Sequence, residues 1–220
     1  MSKRLAIIQS NYIPWKGYFD LINRADEFIV YDSVQYTKND WRNRNRIKTN
    51  QGPLWLTIPV RHSTSMLIRE VEVSNPGWRK KHWNSLRQAY SKTPHFGEYA
   101  PLLEDLYLGS EEPNLSRINV TFIRALCEVL GIETKITSVE DYETKSEDRV
   151  QKLVELCQAT GSTEYLSGPA ASDYLDVGVF EAAGIDVTWM DYSGYPEYQQ
   201  CHGEFVHELS VLDLILNHGP

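Results

Sequence analysis

The segment Leu5–Lys48, LAIIQSNYIPWKGYFDLINRADEFIVYDSVQYTKNDWRNRNRIK, decides the fold. Ile7 and Ile8 lie in a short apolar run that turn-forming residues end, so Arg4–Gln9 reads as a buried strand. Pro14 stands at the start of Trp15–Arg24, where a missing N–H costs a helix nothing, and that stretch reads as a helix. Ile29 and Val30 centre a second strand, Glu27–Tyr31. A strand, a helix and a strand within about 28 residues form a unit of a parallel sheet. Polar, aromatic and basic side chains then crowd the stretch after each strand. Burying so many polar groups for structure alone is costly, so the pattern points to a ligand.

Outward from this unit, Leu54–Val60 and Leu67–Val73 read as strands, the second on the period-two alternation of IREVEV. Helices are expected at Trp78–Tyr90, at Pro101–Leu108 and at Leu115–Leu130. In the last of these Leu115, Ile118, Phe122, Leu126 and Val129 share a face, and Gly131 supplies the stop. Ser146 is expected to cap a helix over Glu147–Ala159 that Gly161 ends, with further helices at Tyr174–Ala183 and Glu208–Leu216. Short strands are expected at Thr134–Ser138, Glu164–Leu166 and Val187–Met190. The alternation predicts one α/β domain over residues 1–220. Its core is an open, mostly parallel, Rossmann-like sheet with helices on both faces, and a β-ribbon is inserted around residues 41–73.

Composition bounds the function classes. At 41% hydrophobic and 24% charged residues the chain is ordinary for a globular protein, and 220 residues suffice for a substantial core. No apolar run approaches the roughly 18–20 residues of a membrane span, and the opening residues are too short an apolar stretch for a secretory signal. Cys127, Cys157 and Cys201 are far apart and form no C-x-x-C, which argues against a zinc knuckle and a disulfide framework. The expectation is a cytoplasmic protein with no membrane partner. The net charge of −8 conceals an asymmetry: residues 1–92 hold 16 Lys and Arg against 7 Asp and Glu, +9, and residues 93–220 carry −17. A basic front half suits an anionic small molecule, or else attraction between the two halves. Overall acidity argues against general nucleic-acid binding.

Ligands of open α/β sheets bind beyond the carboxyl ends of the strands. Three groups of residues stand there. Gln9, Asn11, Tyr12, Trp15 and Lys16 follow the first strand; Asp32, Gln35, Lys38 and the tract from Trp41 to Arg46 follow the second; Ser167 and Gly168 follow the strand near residue 165. Gln9, Asn11, Lys16, Ser167 and Gly168 are the expected phosphate end. The Ser167-Gly168 turn reads equally as an ordinary strand-to-helix connection. Arg42, Arg44 and Arg46 alternate with Asn43 and Asn45, so a strand would put the arginines on one face and the asparagines on the other. The arginine face can grip a phosphate or carboxylate through paired hydrogen bonds; its alternative is a solvated edge that discourages strand pairing. Trp15 and Trp41 suit stacking on a sugar or base, or burial in a core. His82, Asp32 and Lys38 are the acid–base candidates, His82 sharing a helix face with Trp78; many histidines merely sit at a surface. Cys201, His202, Glu204 and His207 match no metal-site spacing, so no metal is expected. The sequence lacks a P-loop, a dinucleotide fingerprint and a nucleophile elbow, and it names no cofactor.

Trp15-Lys16-Gly17-Tyr18 stands where nucleotidylyltransferases of the HIGH superfamily carry H-x-G-H, after the first strand and opening the first helix. The layout is similar, with the glycine kept and both histidines replaced. The similarity implies a related sheet and a nucleotidylyl- or adenylate-forming enzyme as one alternative, against which the missing histidines count. A broader resemblance rests on QSNYIPWKGYFDLI, FIVYDSVQYTKNDWRNRNRIK, WLTIPV, Trp78 with His82, YLSGPAASDYLD, YPEYQQ and ELSVLDLILNHG. In these the chain resembles the WbqC-like family over nearly its whole length. That resemblance implies a transferase of O-antigen or other surface-polysaccharide biosynthesis. It would attach a small acyl or aminoacyl group, a glycyl group among them, to an activated sugar. A non-catalytic accessory protein of the same assembly is the remaining alternative.

Overall fold

The computed structural model describes residues 2–63 and 65–220. In chain order the elements are β1 (Arg4–Ile8), α1 (Lys16–Asn23), β2 (Glu27–Val30), β3 (Arg44–Thr49), β4 (Gly52–Thr57), β5 (Val60–Arg61), β6 (Glu72–Val73), α2 (Trp78–Tyr90), α3 (Phe96–Leu108), α4 (Leu115–Val129), β7 (Lys135–Ser138), α5 (Arg149–Thr160), β8 (Glu164–Ser167), α6 (Val177–Ala182), β9 (Asp186–Trp189) and α7 (Val211–Asn217). The fold class is that expected, α/β with a parallel sheet flanked by helices and small antiparallel ribbons. The described chain divides into two compact units: residues 2–9, 17–33 and 132–195 make the first, and residues 10–16, 34–63, 65–131 and 196–220 the second.

The first unit contains the five-stranded sheet, in the order β7-β2-β1-β8-β9 and parallel throughout. β1 lies beside β2 with Leu5 opposite Glu27 and Ile8 opposite Val30, as the sequence predicts. The chain starts in the middle, builds to one edge, then returns to the other side of β1, which creates a switch point between β1 and β8. Leu5, Ile7, Ile29, Val154, Cys157, Tyr165 and Phe180 fill one core around these strands. α5 begins two residues later than expected. Asp148, not Ser146, is its cap, because the Asp148 carboxylate accepts from Val150 N (3.0 Å) and Gln151 N (2.9 Å) together. The Ser146 hydroxyl instead receives the Asp148 N–H.

In the second unit β3 and β4 form the ribbon's hairpin, with Arg46 opposite Trp55 and Thr49 opposite Gly52. The expected strand over Leu67–Val73 is replaced by a 3-10 turn, Ile68–Glu70, ahead of the two-residue β6. The Glu70 side chain accepts from Leu67 N at 2.9 Å and closes that turn, a local bond that outcompetes a ladder. α3 begins at Phe96, a turn ahead of the expected Pro101. α2 buries Trp78, His82, Trp83, Leu86 and Tyr90, α4 buries Leu115, Ile118, Phe122 and Leu126, and α7 is buried along almost all its length.

Candidate functional site

The carboxyl edge of the parallel sheet carries three of the predicted groups. Gln9 follows β1, and its carbonyl accepts from the Tyr18 hydroxyl at 3.0 Å. Asp32 follows β2 and is 3% exposed. Ser167 ends β8, buried, with its carbonyl taking the Met190 N–H at 2.8 Å and its side chain bonded to that of Tyr165. Gly168 comes next, close to the Tyr192 hydroxyl, which a β-carbon at that position would meet in ordinary contact. Gln9 and Ser167-Gly168 therefore frame the β1/β8 switch point of the sheet, and Asp32 stands one strand away, after β2.

In the second unit the loop Asn11–Lys16 and the strand β3 build one surface. Ile13 is fully buried and has φ 37°, an unusual conformation for a β-branched residue and costly by about 1–3 kcal/mol. Asn45 holds it there: both amide protons go to backbone carbonyls, of Ile13 at 2.9 Å and of Tyr12 at 3.1 Å. Asn43, also buried, donates to the Ile58 carbonyl at 2.8 Å. The predicted alternation is present. The asparagines face inward and pin backbone, while Arg42, Arg44 and Arg46 are half-buried on the other side.

That arginine side is aromatic as well as basic. Trp41 and Trp55 are 39% and 42% exposed, with ring centroids 5.5 Å apart and planes tilted by 35°. The guanidinium carbons of Arg44 and Arg46 lie 4.3 Å and 5.5 Å from the Trp55 ring centre. Beside them is a pocket of about 280 Å³ lined by Asn11, Pro14, Trp15, Trp41, Asn45 and Glu208. Arg42 donates to the Asn11 side chain and lies 3.7 Å from Asp40, and Arg46 lies 3.7 Å from Glu208. Asp40 also accepts from Thr37 (2.8 Å) and from Trp41 N (2.7 Å), which ties down the backbone at Trp41. The buried Nε atoms of Arg44 and Arg46 meet no acceptor among the described residues. Together these groups can hold a negatively charged ligand that carries a flat or sugar ring.

The remaining predicted residues fall elsewhere. Lys38 and Gln35 are exposed on the loop that leads to Trp41. Lys16 begins α1, its ammonium 5.4 Å and 5.3 Å from the Tyr198 and Phe205 ring centres. Burial lowers its pKa, and nearby Asp213 and Glu197 oppose that shift. His82 is 3% exposed, edge-on to Trp78 and bonded through Nδ1 to the Tyr12 hydroxyl at 2.9 Å, which bonds in turn to that of Tyr107 at 2.7 Å. Burial pulls its pKa down to about 4, against the lift from the Thr57 backbone. With Nε2–H donated to that carbonyl, Nδ1 accepts the Tyr12 proton, so the imidazole is neutral and its geometry suits holding Tyr12.

Asp213, Tyr198, Tyr90 and Lys48 escaped the sequence reading. Asp213 is fully buried and accepts from Tyr90 (2.9 Å) and Tyr198 (2.8 Å); burial raises its pKa while those hydroxyls and Lys48 pull it back. Lys48 donates to Gln200 at 2.8 Å and to the Glu204 carbonyl. The available signal was a carboxylate inside the apolar run LSVLDLILN, a place where a charge persists only with partners. Trp55 and Glu208 were missed because neither lies in the tract after a parallel strand.

Among the described residues no cluster of His, Cys, Asp and Glu could hold a metal ion, and no helix is long and apolar enough to cross a membrane. The family model described as the WbqC-like protein family matches residues 9–220. An uncharacterized protein of Mycobacterium tuberculosis is 48% identical over 219 residues, covering 99% of this chain and 94% of that one. No solved structure matches the chain significantly.

Proposed function

The chain belongs to the WbqC-like protein family, and from that membership we propose a transferase of bacterial surface-polysaccharide biosynthesis that attaches a small acyl or aminoacyl group to an activated sugar. The observation that carries the reading is the pocket lined by Trp15 and Trp41, whose wall residues Asn11 and Glu208 contact Arg42 and Arg46. An activated sugar combines a ring with a phosphate, and this pocket offers aromatic faces beside guanidinium groups. In this reading Arg42, Arg44 and Arg46 hold the anion, Trp15 and Trp41 face the ring, and Asn11 orients Arg42. Within the same unit Lys16 and Lys38 supply further cationic groups, and His82 acts through Tyr12. A nucleotidylyl- or adenylate-forming reaction is the second reading. It draws on the strand order, whose β1/β8 switch point is a place where nucleotides bind in such sheets.

A thermal-shift panel of ATP, coenzyme A esters, glycine and sugar nucleotides separates the readings, because a ligand of the native state raises the melting temperature by mass action. Sugar nucleotides or coenzyme A esters are expected to shift it; a shift with ATP alone favours the second reading. Arg42, Arg44 and Arg46 are then changed singly to Lys. Loss of bidentate geometry is expected to weaken binding roughly 10- to 100-fold with the fold intact. Unchanged affinity in all three variants would rule out the arginine pocket as the ligand site.

A further inference from the structure

Glu208, in the wall of the pocket beside Trp41, is a carboxylate in a basic neighbourhood, and the protein itself gives it little to do. The residues after it are fixed. Leu209 and Ser210 are buried, the Ser210 N–H donates to the Arg46 carbonyl at 2.9 Å, and the Val211 N–H donates to the Pro14 carbonyl at 2.8 Å. Those bonds pin the chain between β3 and the Asn11–Lys16 loop, and so hold Glu208 at the pocket. Its side chain is 69% exposed, and its carboxylate makes no hydrogen bond among the described residues. Arg46, at 3.7 Å, is beyond hydrogen-bond length, and an exposed pair of that kind adds little to stability. Asn11 is the complementary case. Arg42 can only donate, so the Asn11 side-chain oxygen is the atom that faces it. The Asn11 amide hydrogens make no hydrogen bond among the described residues. Asn45, by contrast, is fully committed: its amide goes to the Tyr12 and Ile13 carbonyls, and its oxygen accepts from Arg46 N at 2.8 Å.

The wall therefore presents one available donor, Asn11, and one available acceptor, Glu208, alongside the rings of Trp15 and Trp41. We propose that this pocket takes the sugar ring itself, an uncharged one, and that Glu208 selects it by accepting from ring hydroxyls. The proposal rests on the activated-sugar reading and names the part of the substrate that the pocket holds. A hydroxyl both donates and accepts, so neighbouring ring hydroxyls can use Glu208 and Asn11 together. An ammonium offers Asn11 no acceptor and would lie close to Arg46. The carboxylate of a uronic acid would meet Glu208 as a like charge. At about 280 Å³ the pocket is slightly below the roughly 300–1,000 Å³ usual for drug-sized ligands, which suits a single ring rather than a ring with its nucleoside. Arg42 and Arg46, which contact Asn11 and Glu208, are placed to take the phosphate attached to that ring.

Glucosyl, galactosyl and mannosyl phosphates are the probes. Cyclohexyl phosphate is the control, a ring of the same size with the same phosphate and no hydroxyl. Binding is followed on the Trp41 indole N–H by nitrogen–proton correlation NMR, the signal being the one lost in Trp41→Phe. At least one hexosyl phosphate is expected to move it saturably and to bind about tenfold or more tightly than cyclohexyl phosphate. The matching uronic acid phosphate is expected to bind at least about tenfold more weakly than that hexosyl phosphate. Removing the Glu208 charge strengthens every phosphate ester alike, so the readout is the ratio of hexosyl to cyclohexyl affinity. Glu208→Ala, at an exposed side chain, is expected to lower that ratio about tenfold, and Glu208→Gln, which keeps a neutral acceptor, to lower it less. An unchanged ratio in Glu208→Ala, equal binding of the uronic acid phosphate, or cyclohexyl phosphate binding as well as every hexosyl phosphate overturns this proposal alone. A Trp41 signal indifferent to all of these esters overturns the activated-sugar reading of the pocket, and this proposal with it.

Discussion

Asn45 shows how one side chain can serve a site without touching its ligand through charge. Its two donated bonds satisfy the carbonyls of Tyr12 and Ile13, of the two peptide bonds that flank the strained Ile13, and Asn45 also lines the pocket. Asn45→Ala would leave two buried carbonyls unpaired. A cost of about 2–4 kcal/mol is expected from the usual penalty for such groups, measurable as a lower midpoint in urea unfolding. A loss below about 0.5 kcal/mol would mean that water replaces the amide. The alternation of Asn and Arg was legible in the sequence, because period two is a property of strands. Which face is inward was not, since the deciding acceptors lie 32 and 33 positions away. Asp213 makes the same point: its neighbours mark it as a buried charge, while its tyrosine partners stand 15 and 123 positions off. Long-range partners leave no local periodic trace.

Elements with internal punctuation were read correctly, and those whose limits depend on side-chain contacts drifted. α2 matches its expected span because Asn75-Pro76-Gly77 marks its start and a regular apolar face runs to Tyr90. β1, α1 and β2 sit where apolar runs and Pro14 put them. α3 extends beyond the expected Pro101–Leu108, Pro101 being the sixth residue of a helix beginning at Phe96. A proline there removes the hydrogen bond that position 101 would give to the Gly97 carbonyl and crowds the preceding turn. Pro101 is exposed, so no packing rewards it. Pro101→Ala is therefore expected to stabilise the protein by about 1–3 kcal/mol, because the gain in helix propensity exceeds the extra chain entropy of the unfolded state. A thermal melt that moves down instead would mean that the proline sets the path of the chain into α3.

The whole molecule distributes its charge by unit rather than by half. The first unit holds 7 Lys and Arg against 17 Asp and Glu, −10, and the second 15 against 13, +2. The sequence asymmetry was real, but the fold draws the second unit from both halves, so counting along the chain misplaced its border. Each unit also contains one buried group that ties stability to acid. In the first, Glu27 is 1% exposed. Burial alone would raise its pKa, but hydrogen bonds from Lys3 (2.8 Å), Tyr142 and Lys135 (2.9 Å) outweigh it and bring the pKa to about 2 from 4.5. In the second, burial lowers His82 to about 4 from 6.5. Both folded values lie below the unfolded ones, so between the two the unfolded chain binds more protons and stability falls as pH falls. The His82 contribution is complete above pH 6.5 and is lost on the way to about 4, and that of Glu27 is complete above 4.5 and is lost towards about 2. Each is worth about 3 kcal/mol at most. Unfolding free energy measured from pH 7 downward should therefore decline first through the histidine window and then through the glutamate window. His82→Gln keeps a neutral hydrogen-bonding side chain and should flatten the first decline while lowering stability at pH 7. Glu27→Gln should leave the first decline in place and flatten the second, since an amide has no proton to gain. An unchanged slope for either variant within its own window would assign the acid sensitivity to other groups.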